Sequence, residues 1–215
     1  MSDIRLTNLY EYFSDAFIKW TKKPSWVEEE NPGFFDLTEK NLKTFQGNDD
    51  IDMTLVDMQA GFSANTSQYA GGIGKGQGFT MSHNEYSGSP VRYGYSFWVS
   101  GVRDPNTGIA TYPGRFGMEY AAANHTGELV YIVTRPDANN TSKTILEYSS
   151  YYTNVMPTRI PLSHLNYTSG TQEAPQVEVP FAADRFVGQG VDEFAADIIE
   201  SGRLYKFDSV IAPSL

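Results

Sequence analysis

Residues 147–185 read EYSSYYTNVMPTRIPLSHLNYTSGTQEAPQVEVPFAADR, and this stretch decides the fold class. It runs from an aromatic segment through a proline-marked turn at 155–161 to a final segment, Gln176–Phe181, in which apolar residues occupy alternate positions. Such alternation predicts a β-strand with one buried face. Pro180 lacks an amide hydrogen, so we expect this strand at a sheet edge, or with the nitrogen of residue 180 turned away from a partner.

The spacing of apolar residues in the rest of the chain predicts a mainly β protein with flanking helices. Alternating or β-rich segments between Pro, Gly and Asn turns predict the further strands Ile51–Ala60, Pro90–Asp104, Glu128–Arg135, Thr141–Asn154 and Leu162–Tyr167. Apolar residues at three- and four-residue spacing, together with cap and breaker residues, predict helices at 2–23, 36–46, 113–123 and 192–201. The pattern of the first helix leaves open whether it is a separate arm or packs on the core.

The length of 215 residues fits one domain, and we see neither an internal repeat nor a second core pattern. We divide residues 1–215 into a helical N-terminal arm at about 1–46, a β core at about 50–185 and a C-terminal extension at about 188–215.

Composition excludes several classes of function. The chain has no cysteine, and its three histidines lie far apart, which excludes thiolate chemistry and a local histidine metal site. A formal net charge of −10 argues against a surface that grips nucleic acid, and no apolar run is long enough for a membrane helix. The N-terminal residues MSDIRLTNLYEYF contain no apolar signal region, which argues against a secretory signal.

The motifs do not indicate a reaction. In the glycine tract Gly71–Gly78, Lys75 is followed by Gly76, whereas a phosphate-binding P-loop needs Ser or Thr there. Its GxGxG spacing also departs from the dinucleotide-binding GxGxxG. Acidic pairs such as Asp49-Asp50 are typical of a solvated surface, and no nucleophile-elbow motif accompanies the histidines. We therefore expect no enzyme, no cofactor and no metal, and we assign the function to binding or assembly.

Tyrosine and phenylalanine are abundant, at 14 and 13 residues. Large protein–protein interfaces use tyrosine because its ring buries area while its hydroxyl remains polar. A tyrosine-rich core of a monomeric β-sandwich would give the same composition. Both interpretations stay open at this point.

The 147–185 block resembles the C-terminal region of the tail tube proteins of contractile-tailed bacteriophages. In that family a strand leads into a Pro–polar turn, matched here by Asn154–Thr158, and a short strand follows, here Ile160–Tyr167. The final strand has the form x-Val-x-Val-x-Phe-Ala, which matches Gln176–Ala182. The upstream order of strand, helix, strand and strand also agrees, so the resemblance covers roughly residues 90–185.

The resemblance implies a β-sandwich-like subunit with a helix on its side, whose sheets join those of its neighbours into a ring-wide β-barrel. Six subunits would form a ring, and stacked rings would form the hollow inner tube of the tail. The implied partners are further copies of the chain and the tail sheath, baseplate and tape-measure proteins. DNA would pass through an acidic lumen without specific binding. The implied location is the tail of the virion, assembled in the host cytoplasm.

Eight residues are the candidate contacts between subunits. Register is weakly set in glycine-rich strands, so the glycines would pair when a neighbour arrives. The two acids lie in a loop before them, and the aromatic residues lie on the predicted N-terminal helix, where packing on the chain's own core is the alternative. The set is Gly72, Gly74, Gly76, Asp49, Asp50, Phe13, Phe17 and Trp20.

Other functions remain as alternatives. A baseplate protein that initiates the tube, or a protein that terminates the tail, would share the same fold. A β-sandwich module that binds a ligand or a receptor would instead line a groove with Tyr and Trp. An enzyme that used Asp or Glu would need a cleft holding a carboxyl group of perturbed pKa.

Overall fold

The computed structural model describes residues 15–47, 52–59, 66–74, 78–136, 144–160 and 176–202. Its elements follow one another as β1 (Asp15–Lys22), α1 (Ser25–Glu30), α2 (Phe34–Lys40), β2 (Leu42–Gly47), β3 (Asp52–Gln59), β4 (Thr66–Gly74), β5 (Phe79–Asn84), α3 (Pro90–Val102), α4 (Tyr112–Phe116), α5 (Ala122–His125), β6 (Gly127–Pro136), β7 (Thr144–Pro157), β8 (Gln176–Phe186) and α6 (Gln189–Glu200).

Six of these strands form one antiparallel sheet in the order β1-β6-β7-β8-β5-β2, and β3 and β4 pair in a separate two-stranded sheet. The predicted class, mainly β with flanking helices, is confirmed. The strands predicted where β3, β6, β7 and β8 lie are confirmed, as is the helix predicted where α6 lies. The joining of sheets between subunits remains a prediction.

The six-stranded sheet is strongly curled. The ring of Phe45 in β2 stacks on that of Tyr131 in β6, with 4.1 Å between ring centroids. Four strand spacings separate β2 from β6, so a flat sheet would hold these residues roughly 19 Å apart. The sheet therefore wraps around its own aromatic side chains, and Phe45 also stacks on Phe79 at 4.8 Å.

The concave face of the sheet, which we call the inner face, packs against α1, α2, α3 and α4. Its residues alternate along the strands with outward-facing polar residues, as in any half-buried strand. The buried members of this inner cluster are Ile18, Trp20, Trp26, Val27, Phe34, Phe35, Leu42, Phe79, Met81, Val91, Tyr95, Trp98, Tyr112, Leu129, Tyr152, Val155, Val177, Val179, Phe181 and Ala183.

The opposite face, which we call the outer face, is covered in part by α6. Ala195 and Ile198 of this amphipathic helix pack against Val130 and Ile132 of β6 and form a small outer cluster. The helix also contacts β7, where Ser149 Oγ donates to the Asp192 carboxylate at 2.6 Å. The predicted C-terminal extension therefore contributes a helix to the packing of the sheet.

The strand predicted at Pro90–Asp104 is wrong, because residues Pro90–Val102 form helix α3. Val91, Tyr95 and Trp98 are fully buried at the i, i+4 and i+7 spacing of one helical face. The alternating aromatic residues of this segment fit both a strand and a helix, and Pro90 at the first helical position was the signal for the helix.

Glu85 holds the beginning of α3. Its buried carboxylate accepts hydrogen bonds from the backbone amides of Tyr86, Val91 and Arg92, at 3.0, 3.1 and 2.9 Å. The last two are among the first amides of the helix, which have no partner within it. A side chain four residues before the conventional cap position therefore fixes where the helix starts.

Two glycines of α3 let aromatic rings approach its backbone. A β-carbon at Gly94 would lie 2.3 Å from the ring of Phe34, and one at Gly101 would lie 2.3 Å from the ring of Trp26. Glycine weakens a helix by about 1 kcal/mol relative to alanine. Here that cost is offset by the close packing of α1 and α2 against α3.

The helix predicted at 2–23 is wrong for Asp15–Lys22, which form strand β1. Residues 2–14 lie outside the described ranges. Ile18 and Trp20 alternate onto the inner face, whereas the helical pattern used the three-residue spacing of Phe17 and Trp20. Ladder pairing with the distant strand β6 decides the conformation. Local spacing could not reveal that partner.

Three further predictions are changed by the structure. The helix at 36–46 is right only at its start, because α2 ends at Lys40 and the chain continues as β2. The helix at 113–123 is replaced by the two short helices α4 and α5. The strand at Leu162–Tyr167 lies outside the described residues.

Pro180 does not place β8 at an edge, because β8 lies between β5 and β7. The Pro180 carbonyl accepts a hydrogen bond from the Thr158 amide at 2.9 Å, just after β7 ends at Pro157. The nitrogen and the carbonyl of a strand residue point to the same side of the strand, so the nitrogen of Pro180 also points toward β7. The amide hydrogen that proline lacks would therefore lie beyond Pro157, where the β7 ladder has ended. The first of the two predicted alternatives is therefore wrong.

Candidate assembly surfaces

The β1 edge of the sheet is closed by a side chain. The Trp20 backbone amide, on the edge away from β6, donates to Glu39 Oε1 at 2.9 Å, and Lys19 Nζ donates to Glu39 Oε2 at 2.7 Å. Burial raises the pKa of Glu39, although the bonds from Lys19 and Trp20 act in the opposite direction. A carboxylate from α2 thus occupies a donor that a foreign strand would need for pairing.

The β2 edge differs. β2 pairs with β5 on one side, and none of the other described strands pairs with its second side. Its outward-facing residues Thr44 and Gln46 are exposed, and Thr44 Oγ1 is hydrogen bonded to Ser82 Oγ at 2.5 Å. Of the two edges of the curled sheet, this one offers backbone groups to an incoming strand.

The β3–β4 hairpin is the second surface with unpaired edges. Its strands pair with each other and with no other strand of the described ranges. Gly72 pairs with Thr54 and Gly74 pairs with Asp52. An isolated two-stranded hairpin is marginally stable in water, and a third strand is needed for independent stability.

The predicted contact residues fall into two groups. Gly72 and Gly74 lie in β4, whereas Gly76, Asp49, Asp50 and Phe13 lie outside the described residues. Phe17 and Trp20 lie in β1 and are buried within this chain, at 8% and 4% exposed.

Trp20 packs edge-on against Phe35, with 5.1 Å between ring centroids, and its indole nitrogen donates to Thr38 Oγ1 at 3.0 Å. Its position is the one expected from packing on the chain's own core. A role of Phe17 and Trp20 between subunits stays a prediction.

The solvent-exposed part of the outer face is polar and acidic. Over β8 it presents Glu178 and Asp184, both exposed. Helix α6 carries four acids and no lysine or arginine among its twelve residues, namely Asp192, Glu193, Asp197 and Glu200. Carboxylates on one face repel phosphate groups.

The buried titratable groups belong to the core. Tyr95 Oη and His83 Nε2 are 3.0 Å apart, and both side chains are fully buried. Burial lowers the pKa of His83 to about 3 and raises the pKa of Tyr95. A neutral, sealed imidazole has no access to a substrate, so we assign this pair to packing.

Neither a metal site nor a membrane span is found in the part of the chain that the structure describes. No group of three His, Asp or Glu side chains there is arranged to hold a metal ion. The helices given above are all too short or too polar to cross a bilayer.

Comparison with known proteins gives structural neighbours and no sequence relatives. No protein-family model matches the chain, and no curated protein matches it. A chain of the PVC sheath-tube complex, an extracellular contractile injection system in its extended state, aligns at 12% identity over 87% of this chain and 99% of that one, with a TM-score of 0.45. A chain of the anti-feeding prophage (AFP) baseplate aligns at 7% identity over 68% and 77%, with a TM-score of 0.39.

The sequence did not reveal the carboxylate of Glu39 at the β1 edge. Because residues 2–23 were predicted to be a helix, the prediction contained no strand edge with which Glu39 could interact. The sequence signal would have been the Phe34–Lys40 segment, whose buried Thr38 and Glu39 are polar residues on the apolar face of a short helix. Buried polar groups of this kind require partners, and the partner here is the backbone of β1.

Proposed function

We propose that this protein is a structural subunit of the inner tube of a contractile tail, in which hexameric rings stack into a hollow conduit. The observation that carries the proposal is the asymmetry of the strand edges. Glu39 occupies the outward Trp20 amide on the β1 edge, while the outer edge of β2 and the β3–β4 hairpin have no further strand partner among the described residues. Edges of this kind are a hazard in a monomer and a means of joining sheets in an assembly.

The resemblance of the 147–185 block to tail tube proteins supports the same assignment. A contact between two different surfaces of one chain closes into a ring when its rotation permits, and rings then stack. In this role the chain contacts itself, the tail sheath and the baseplate and tape-measure proteins, and it catalyses no reaction. The part of the acidic outer face that lies outside the contacts between copies would line the conduit for DNA. The assembled location would be the tail of a virion.

The experiment is electron microscopy and light scattering of the purified protein over a concentration series. Rings or long tubes are expected, and a strict monomer at high concentration would overturn the proposal. Single rings or short stacks of fixed length would instead support the alternative of a baseplate protein that initiates the tube.

A variant without the hairpin sharpens this test. Gly47 and Phe79 are paired neighbours in β2 and β5, so residues 48–77 can be replaced by a short Asn-Gly turn without stretching the sheet. We expect this variant to fold with an unchanged thermal midpoint and to remain monomeric. At a single position, Gly74→Trp should impair polymerisation, and Gly74→Ala is its matched control.

A further inference from the structure

A groove opens where α3 and β7 end. Its volume is about 620 Å³, within the range of sites that hold a ligand or a side-chain cluster. Its apolar surface comes from Val99, Val102, Met156 and Pro157, and Tyr120 stands at its rim with 64% of its surface exposed. We call it the α3-end groove. It is large enough to accept aromatic side chains of a partner.

An exposed apolar patch lies where β8 meets α6. Phe186, Val187 and Phe194 are 52%, 59% and 42% exposed, and Phe194 also touches Tyr151 edge-on, with 6.1 Å between ring centroids. Three large apolar side chains grouped in this way are typical of a protein contact. We call this group the Phe186 patch.

Groove and patch lie at different ends of the same pair of strands. Pro157 at the groove is paired with Phe181, and Tyr151 is paired with Phe186. The five residues from Phe181 to Phe186 span roughly 17 Å along β8. The patch adjoins α6 on the outer face, whereas the groove adjoins α3 on the inner side. A single chain therefore cannot place its own patch in its own groove.

The charges of the two surfaces are complementary. At the groove, exposed Arg103 presents a guanidinium group, while the Asp104 carboxylate accepts the amides of Asn106 and Thr107, each at 2.8 Å. Around the patch Asp184 and Glu193 are exposed acids, while the guanidinium group of Arg185, beside Phe186, lies over the Tyr148 ring, 5.9 Å from its centroid. Opposite charges at the rim of an apolar contact favour one orientation of the partner.

We infer that the Phe186 patch of one copy is seated in the α3-end groove of the next copy, with Arg103 facing the acids around the patch. This inference rests on the proposed self-assembly and names two surfaces that mediate it. Because the two surfaces differ, the contact is heterologous and propagates in one direction. The occupant of the groove is a second copy of this chain.

Engineered cysteines test the contact, since the chain has none of its own. Tyr120→Cys is placed at the groove and Val187→Cys in the patch, each in a separate preparation. After mixing and mild oxidation, we expect disulfide-linked heterodimers on non-reducing gels, and at least about tenfold fewer homodimers in either preparation alone. The control mixture is Tyr120→Cys with Glu147→Cys, whose cysteine is exposed on β7 outside the patch.

The outcomes separate this contact from the proposed function. Equal yields in the test and control mixtures would overturn the contact, even if microscopy showed rings or tubes. Selective heterodimers without rings or tubes would support the contact and count against the tube. Absence of both would reject both.

A second measurement does not depend on cysteine chemistry. Phe186→Glu should raise the protein concentration needed for assembly about tenfold or more, as expected for the loss of an aromatic anchor. Its thermal midpoint should stay unchanged because the side chain is half exposed. Tyr93→Glu, at an equally exposed aromatic residue outside both surfaces, is the matched control, and an equal effect of the two substitutions would overturn the contact.

Discussion

Helices α3 and α6 are both amphipathic and lie on opposite faces of one sheet, but they are held by different amounts of packing. α3 buries Val91, Tyr95 and Trp98 completely within the inner cluster, and its glycines admit two aromatic rings. α6 buries only Ala195 and Ile198. The inner side of the molecule therefore supplies most of the stability, while the outer side keeps apolar and acidic groups available for contacts.

The largest expected effect tests this difference directly. Trp98→Ala should lower the free energy of unfolding by about 3–5 kcal/mol, and Ile198→Ala by about 2 kcal/mol, at the low end of the range for buried aliphatic residues. Trp98 also loses the hydrogen bond from its indole nitrogen to the His125 carbonyl, 2.7 Å long. Urea unfolding measures both values. An equal or larger loss in Ile198→Ala would contradict the comparison.

Acid should weaken the inner side through His83. Its pKa of about 3 in the folded state lies below the unfolded value of 6.5, so its contribution to stability is fully present above pH 6.5 and is lost as the pH falls toward 3. Below pH 6.5 the loss should steepen toward about 1.4 kcal/mol per pH unit, the limit for one proton. Urea unfolding between pH 7 and 5 measures it.

The matched variant for this prediction is His83→Gln, which retains a polar side chain opposite Tyr95 but does not titrate. Its unfolding free energy should vary less between pH 7 and 5 than that of the unchanged chain. A slope identical to that of the unchanged chain would mean that His83 is not the group responsible.

The smallest expected effects come from two helical glycines and should have opposite signs. Gly101→Ala places a β-carbon 2.3 Å from the Trp26 ring and should destabilise the fold by about 1–3 kcal/mol. Gly190→Ala in α6 meets no atom within 4 Å and should stabilise it by up to about 1 kcal/mol. Thermal unfolding of the two variants measures the difference. Destabilisation by both would show that α6 is packed as tightly as α3.

The predictions from sequence succeeded where the apolar residues followed only one spacing, either that of a strand or that of a helix. The alternation of Val177, Val179 and Phe181 identified β8, and the spacing in Asp192–Ser201 identified α6. They failed where apolar residues satisfied two periods at once, as in β1 and α3. In β1 the distant strand β6 decided the outcome, which leaves no trace in local spacing, whereas in α3 Pro90 was a local signal for the helix.

The candidate surfaces were only partly accessible to prediction. Gly72 and Gly74 of the glycine tract belong to the separate hairpin, and their role between subunits stays a prediction. The edge closed by Glu39 and the groove at the end of α3 depend on the order of strands in the sheet. That order joins β1 to β6 and β2 to β5, and the sequence contains no signal for either pairing.

The pairing of β1 with β6 also has a consequence for synthesis. Ile18 is paired with Tyr131, so 113 residues (131 − 18) must be made before β1 meets its partner. At roughly 5–20 residues per second, the ribosome takes roughly 6 to 23 s to add them. During that interval Phe17, Ile18 and Trp20 are exposed on the nascent chain. The first strand of the sheet is therefore a segment to which a chaperone could bind during synthesis.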